Sequence, residues 1–294
     1  MKTEDVTIIG AGPGGIATAI QLKRWGLEPL VLERNRVGGL LINAHLVENY
    51  PGFPEGISGP ALVELFGSQL ERFDVRVEFE EVLILEDADG CFEIRTRSRA
   101  IPSRVAVVAS GTKPRLVDTP QIPAGLEGRV FHEVHPIANI DAKTVAILGA
   151  GDAAFDYALN LARKNSVIIL NRGSHPRCLP LLWARARHEP AIRCFHNTSV
   201  TALRPCDNGV TLSIRTLERH WELGVDYVLF AVGRIPRLDF LSSRLKERMS
   251  DLQRAARLYL VGDVKNEMYR QVSIAVGDGV HAAMKICETL QGAC

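Results

Sequence analysis

Two stretches of this 294-residue chain repeat one design, an apolar strand that runs straight into a glycine-rich turn and then a helix-period segment. In DVTIIGAGPGGIATAIQLKRWGLEPLVLE the strand Val6 to Ile9 meets Gly10, Gly12 and Gly15 at G-x-G-x-x-G spacing. A helix is expected through Ile16, Ala19 and Ile20 with Gly26 as its stop, and a second strand, Pro29 to Leu32, closes on Glu33. In TVAILGAGDAAFDYALNLARKNSVIILNRG the strand Thr144 to Leu148 meets Gly149, Gly151 and Ala154 as G-x-G-x-x-A, followed by a helix to about Leu161 and a strand Val167 to Leu170. The glycines allow a tight turn, let backbone approach a pyrophosphate, and bring helix against strand; the helix N-terminus adds free N–H groups and the positive end of its dipole. A lone glycine pattern is weak, but strand, turn, helix and strand here follow in the order that dinucleotide binding requires.

The two units differ where their second strands end. Glu33 can accept from ribose hydroxyls, whereas the second unit ends on Asn171 and Arg172 with no acid. Arg172 or Arg177 can pair with a 2′-phosphate, which favours NADP(H) over NAD(H), although Gly173 leaves the basic cluster thin. A further echo, VAVVASGTKPR (105–115) and DYVLFAVGRIPR (226–237), reads as two strands each leaving a domain through a proline-stiffened crossover. The second unit lies between them as an insertion. The expected architecture is α/β with two Rossmann-like domains: a discontinuous first domain, 1–112 plus 232–294, and an inserted nucleotide domain, 113–231.

Composition bounds the partners. Hydrophobic residues make up 46% and charged residues 23%, enough for a sizeable core, and the formal net charge of +1 leaves no footprint for nucleic acid or an anionic membrane. No apolar run approaches the roughly 20 residues of a membrane span, and the N-terminus lacks a basic region followed by an apolar stretch, so a cytoplasmic enzyme is expected. Six cysteines (Cys91, Cys178, Cys194, Cys206, Cys287, Cys294) show neither a Cys-x-x-Cys pair nor metal-ligand spacing and read as reduced thiols. EDADGCFEIRTRSRAIPSR reads as a hairpin turning at Asp87 to Gly90, LLWARARHEP as an amphipathic helix with a solvated basic face or a patch for an acidic carrier protein, and residues 242–258 as charged loop and helix; His45 and His281 read as packing or surface residues.

With both units and both crossovers in hand, the chain resembles the low-molecular-weight thioredoxin reductase family of FAD and pyridine-nucleotide flavoproteins along nearly its whole length. The resemblance is carried by GAGPGG (10–15), Gly38-Gly39, VENYPGFPEGISGPALV (47–63), Ala109-Ser110-Gly111, GAGDAAFDYAL (149–159) and, most specifically, YLVGDVKNEMYRQVSIAVGDGVHAA (259–283). It implies FAD contacts at Gly10, Gly12, Pro13, Gly14, Gly15, Glu33, Arg34, Gly38, Gly39, Leu40, Leu41, Asn49, Ala109, Ser110, Gly111, Gly262, Asp263, Arg270, Gln271 and Val272. Asp263 is implied at the ribityl and pyrophosphate region, Arg270-Gln271 at the isoalloxazine, and Asn49 on its other side. Pyridine-nucleotide contacts are implied at Gly149, Gly151, Asp152, Ala153, Ala154, Asn171, Arg172, Arg177 and Gly233. The family precedent also implies a homodimer and a rotating small domain.

Disulfide reductases of this family carry a Cys-x-x-Cys just before the second glycine turn, and counting back from Gly149 puts its two positions on His132 and His135. Imidazole cannot exchange with a disulfide. The chain therefore resembles most the ferredoxin or flavodoxin NADP reductase branch, in which electrons pass from NAD(P)H through FAD to a redox carrier. It departs from that branch in lacking an aromatic-bearing extension after ETLQGAC and in having Leu40 where the family usually has glutamine. An NAD(P)H oxidase or quinone-type reductase, and a non-catalytic redox-sensing flavoprotein with a degenerate NAD(P) site, are the alternatives. For His132 and His135 two readings stand open: a proton relay to flavin, which histidine's near-neutral titration suits, or a polar connection without chemistry. Neither has further ligands nearby at metal spacing, so no metal site is expected.

Overall fold

The structure, a computed structural model, describes residues 3–292 apart from Asp89, so Cys294 lies outside the described residues. The chain divides into two units, one of Met1–Ile42, Val47–Lys113 and Ile235–Cys294, the other of Asn43–Leu46 and Pro114–Arg234. In chain order the elements begin β1 (Glu4–Ile9), α1 (Pro13–Arg24), β2 (Leu30–Leu32), α2 (Gly59–Arg72), β3 (Arg76–Glu78), β4 (Ile84–Ala88), β5 (Cys91–Arg95), β6 (Ala100–Val108) and β7 (Thr112–Pro114). Then follow β8 (Val130–Phe131), β9 (Thr144–Leu148), α3 (Asp152–Leu161), β10 (Ser166–Leu170), α4 (Pro180–His188), β11 (Ile192–Phe195), β12 (Ser199–Cys206), β13 (Gly209–Arg215), β14 (His220–Val225) and β15 (Tyr227–Phe230). The chain closes with β16 (Arg234–Pro236), α5 (Ser243–Arg254), β17 (Leu258–Leu260) and α6 (Val272–Gln291).

In the first unit β3, β2, β1 and β6 lie side by side in parallel. The long β6 serves two partners: its first half pairs antiparallel with β5 (Ile101 opposite Ile94), its second half parallel with β17 (Ala106 opposite Leu258). Apolar runs such as VTII and LVL suit strands buried on both faces. Ile9, Leu30, Leu32, Ala106 and Val108 join Leu85, Phe92 and Ile94 in one core that Leu245 and Leu252 of α5 help close. The β4–β5 hairpin is tighter than expected, because Asp87 lies within β4 opposite Phe92. Its carboxylate is 1% exposed and takes Arg248 and Arg257, the company that a buried charge requires. Only Gly90, at φ +95°, supplies left-handed backbone in that turn among the described residues.

In the second unit β11, β10, β9, β15 and β8 form a parallel sheet in that order. Alternation sorts its side chains onto two faces. Val145, Ile147, Val167 and Ile169 pack with Phe155, Ala158 and Leu161 of α3 and Ala186 of α4, while Ala146, Leu148, Ile168 and Leu170 pack against the antiparallel meander β12–β13–β14 through Val200, Val210, Leu212 and Ile214. Helix α4 buries Ala186 and exposes Arg187 and His188. The strands β7 and β16, each ending on a proline, pair with one another. No helix among the described residues is long and apolar enough to cross a membrane.

Candidate dinucleotide sites

At the carboxyl edge of the first sheet, β1 runs into Gly10 at φ +110°, where a Cβ would stand 2.4 Å from the Ala109 carbonyl oxygen. No side chain fits there, so the exit of β6 closes directly on the turn. Around Gly12 the reverse holds: nothing lies within 4 Å of where its Cβ would be. That open concavity sits where α1 begins without a capping side chain, whereas α2 and α5 are capped by Ser58 and Ser242. A turn with room at its glycine and an uncapped helix N-terminus behind it fits a pyrophosphate. Glu33, 7% exposed, accepts the Ala11 N–H on Oε2 at 2.8 Å and the Asn35 N–H on Oε1 at 2.9 Å, so it braces the turn it was expected to serve. Gly38 donates to the Ala11 carbonyl at 2.7 Å, and Gly39 lies 3.4 Å from Gly12 Cα by its would-be Cβ. The two glycines thus fold onto the first turn and lead into the 3-10 turn Gly39–Asn43 that carries Leu40 and the buried Leu41; Arg34 is exposed.

The other side of this edge comes from distant sequence. Ser110 donates through Oγ to the Arg237 carbonyl at 2.7 Å, and Gly111, at φ +63°, accepts the Arg237 N–H at 3.1 Å. After β17 the chain turns at Gly262, φ +72°, into a 3-10 turn, Gly262–Val264, that holds Asp263. Asp278 of α6 reaches back to this turn: its Oδ2 accepts from the Gly262 N–H at 3.1 Å and from Asn266 Nδ2 at 2.6 Å, and its Oδ1 pairs with Lys265 Nζ at 2.7 Å. Helix α6 starts at Val272, again without a side-chain cap, just after Arg270 and Gln271. Asn49 is brought to this place, its Nδ2 donating to Gln271 Oε1 at 2.8 Å and its carbonyl accepting from Ser273 Oγ at 3.3 Å. Sequence reasoning missed Asp278 and Asn266. The signal was present, since Asp278 is the one acid in the small-residue run IAVGDGVHAA.

The second unit repeats the geometry. Gly149, at φ +123°, would place a Cβ 2.2 Å from the Ala231 carbonyl oxygen, and α3 begins after Gly151 with no side-chain cap. Ala153 and the fully buried Ala154 lie in its first turn, where Asp152 Oδ1 accepts the Leu179 N–H at 2.7 Å. Arg177 donates its N–H to Ala150 at 2.7 Å, so the segment after β10 folds over the glycine turn. Asn171 is 7% exposed and spends its side chain inside that segment: Nδ2 donates to the His175 carbonyl at 2.9 Å and lies 3.0 Å from His196 Nδ1, and Oδ1 accepts the Gly173 N–H at 3.0 Å. Arg172 and Arg177 are exposed beside it. Gly233, at φ +106°, accepts the Arg115 N–H at 3.0 Å through its carbonyl.

His132 follows β8 directly, and β8 pairs with β15 in a register that sets Phe131 opposite Leu229. Its ring lies 5.4 Å from that of Phe230, with Nδ1 buried and without a hydrogen-bond partner. Burial first, then the nearby Arg234 guanidinium, lowers its pKa, so the ring is neutral near pH 7. Arg234 itself pairs with Glu133 at 3.4 Å, and burial pushes the neighbouring Tyr157 hydroxyl up to about 12. With β15 between β8 and β9, His132 and Gly149 share one sheet edge about two strand spacings, roughly 10 Å, apart. His135 opens the turn His135–Ile137, its backbone N–H held by Asn43 Oδ1 at 2.9 Å. Among the described residues no cysteine is in a disulfide, and no cluster of three or more His, Cys, Asp or Glu could hold a metal.

Two sheets with parallel cores, each with a glycine turn and an uncapped helix at its carboxyl edge, define an oxidoreductase fold for two dinucleotides. The comparisons agree: residues 4–279 match the family model described as pyridine nucleotide-disulphide oxidoreductase. The chain is 30% identical over 311 aligned positions to the thioredoxin reductase of Treponema pallidum (strain Nichols), covering 99% of this chain and 100% of that one. Identity to the Mycolicibacterium smegmatis thioredoxin reductase is 29% over 297 positions, covering 95% and 94%. The crystal structure of Lactococcus lactis thioredoxin reductase (FR conformation) matches with a TM-score of 0.87 at 25% identity, covering 99% of this chain and 100% of that one. This chain belongs to the pyridine nucleotide-disulphide oxidoreductase family, among its low-molecular-weight, thioredoxin reductase-like FAD and pyridine-nucleotide flavoproteins.

Proposed function

We propose that the first unit holds FAD, the second holds NAD(P)H with NADP(H) preferred, and electrons leave for a carrier such as a ferredoxin or flavodoxin without a dithiol relay. The observation that carries this reading is the pair His132 and His135 in a chain with no Cys-x-x-Cys. The named relatives are thioredoxin reductases, yet relaying electrons to a disulfide through protein thiols requires thiolate exchange. Two thiols of the second unit are poorly disposed to it, since burial raises Cys178 and pushes Cys194 up to about 11.

Flavin held in the first unit would supply a hydride acceptor for nicotinamide and a means of releasing the electrons one at a time. The chain supplies position and charge. The Gly10–Gly15 turn and the start of α1 take the pyrophosphate, Glu33 keeps that turn in shape, and Asp263 with Asn49, Arg270 and Gln271 orient the remainder. Exposed Arg172 and Arg177 meet a 2′-phosphate, while Asn171 shapes the segment that presents them. His132, at the same edge as Gly149, is the residue to which the proton relay is assigned. The deciding experiment is anaerobic stopped-flow of the flavin-loaded protein with NADPH and NADH, followed by addition of ferredoxin or flavodoxin. Bleaching by NADPH and carrier-dependent recovery are expected. Recovery in air at the same rate without a carrier replaces the carrier with oxygen, and failure of both nucleotides where dithionite succeeds removes the reading.

A further inference from the structure

We infer that Asp278 is the positioning residue for the flavin site: it acts through Gly262 and Asn266 to fix Asp263 relative to the first glycine turn. The inference rests on the FAD reading of the first unit.

Three chain segments meet at this side chain. Asp278 projects from the second turn of α6, and its single oxygen Oδ2 gathers two donors, the Gly262 N–H and Asn266 Nδ2; the same amide nitrogen also donates to the Gly262 carbonyl at 3.0 Å. The Lys265 N–H closes on that carbonyl at 3.1 Å. Residues 262–266 are thereby tied to α6 through their donors and to one another at the Gly262 carbonyl, with Gly262 in a left-handed conformation. The adjoining residue ties α6 to α1: a Cβ on Gly279 would stand 2.3 Å from the Gly14 carbonyl oxygen. That carbonyl accepts from Thr18 Oγ1 at 2.8 Å. A Cβ on Gly14 would in turn stand 3.1 Å from the Ala275 oxygen and 3.6 Å from the Gly262 nitrogen. Packing this close transmits displacement, so the turn that takes a pyrophosphate and the turn that presents Asp263 are held in register by two consecutive residues of one helix. Gly279 supplies the approach and Asp278 the hydrogen bonds. Asp278 touches no ligand in this scheme; it places the group that does, and supporting residues of this kind are needed wherever a site must be preformed.

The two oxygens of Asp278 have separable duties, which makes the inference testable. Asp278→Asn keeps one carbonyl oxygen for Gly262 and Asn266 and loses the charge toward Lys265; Asp278→Ala loses both. Ile286→Ala, fully buried in the same helix but remote from the turn, controls for general destabilisation. FAD dissociation constants from flavin fluorescence, the flavin midpoint potential, and urea unfolding of the flavin-free protein are measured for all four proteins. Asp278→Asn is expected to bind FAD within about threefold of wild type and Asp278→Ala roughly tenfold or more weakly, with a shifted potential. Ile286→Ala is expected to be less stable with FAD affinity nearly unchanged. Should Asp278→Ala fail to fold, Asn266→Ala removes the same link from the other side and is expected to weaken FAD likewise. Normal FAD affinity and potential in Asp278→Ala, or equal weakening in Asp278→Ala and Ile286→Ala, overturns the inference alone. A wild type that binds no FAD overturns the cofactor reading and takes this inference with it.

Discussion

The carboxylate of Glu33, at the end of β2, accepts the backbone N–H of Ala11 in the first glycine turn at 2.8 Å. An acid at this place is expected to meet a ribose, and here it also supplies a buried turn with a charged acceptor. Glu33→Ala strands the Ala11 N–H, which has no exposure to water. Loss of a charge-assisted bond that leaves a buried donor unsatisfied costs about 2–3 kcal/mol. Urea unfolding of the flavin-free protein is expected to show that loss, and an unchanged midpoint there removes the bracing role.

Gly10 and Gly12 stand two residues apart and face opposite conditions. Gly10→Ala forces a Cβ to 2.4 Å from the Ala109 oxygen at φ +110° and is expected to destabilise the first unit by about 2 kcal/mol or more. Gly12 has φ −76° and open space, so Gly12→Ala is expected to leave stability within about 1 kcal/mol and to lower FAD affinity. Differential scanning calorimetry and FAD titration separate the two. Equal FAD affinity in Gly12→Ala and wild type means that the open space is not where the cofactor lies.

Burial raises Asp156, on α3, to about 6 from an ordinary 3.8, against the lowering effect of the His45 and Leu46 N–H groups it accepts; Asp152 adds to the rise. A carboxyl raised on folding holds its proton more tightly in the folded chain. Its contribution to stability is therefore full below pH 3.8 and is lost as the pH rises through 6. Asp156→Asn removes this dependence. The stability of the variant relative to wild type is expected to increase by about 2–3 kcal/mol between pH 4 and pH 7. A difference that stays flat across this window contradicts the assignment.

His132 keeps Nδ1 buried and unpartnered against Phe230. A polar atom without a partner costs free energy in any fold, so His132→Phe is expected to be as stable as wild type or up to about 1 kcal/mol more stable. If its imidazole relays protons, carrier-dependent turnover falls on the order of a hundredfold while reduction by nucleotide persists. Stability and turnover both unchanged leave His132 as packing only.

Arg172 is exposed beside Asn171, whose own side chain is engaged by His175, Gly173 and His196. The burden of a 2′-phosphate contact then falls on Arg172 and Arg177. Arg172→Ala is expected to raise the KM for NADPH about tenfold and to leave that for NADH as it was, since a charge-assisted pair is worth about 1.5–3 kcal/mol. Parallel changes for both nucleotides argue against the contact.

The parts of this protein legible in one dimension are those fixed by local backbone geometry. Gly10 and Gly149 are obligatory because positive φ and a carbonyl at 2.4 and 2.2 Å admit no side chain, and a sequence must write that demand as glycine. Both sheets were legible for a similar reason, since strands covered on two faces read as unbroken apolar runs. The meander β12–β13–β14 was not, because nothing in SVTALRPC or GVTLSIR says which face of which sheet it will cover. Asn171 was read as a ligand contact from its place after β10; only the folded loop shows its amide consumed by its neighbours.

By itself, then, the sequence determined two nucleotide-type folds, the order of their parts and the loss of the cysteine pair, all of which follow from short-range spacing and residue identity. The tertiary structure decided that Asp278 pins Gly262 across 16 residues, that Asn43 holds the His135 N–H across 92, and that His132 shares an edge with Gly149. Such pairings join residues whose meeting depends on packing of the whole unit, and hydrogen-bond geometry selects them only once the hydrophobic core has brought their backbones within about 3 Å of contact.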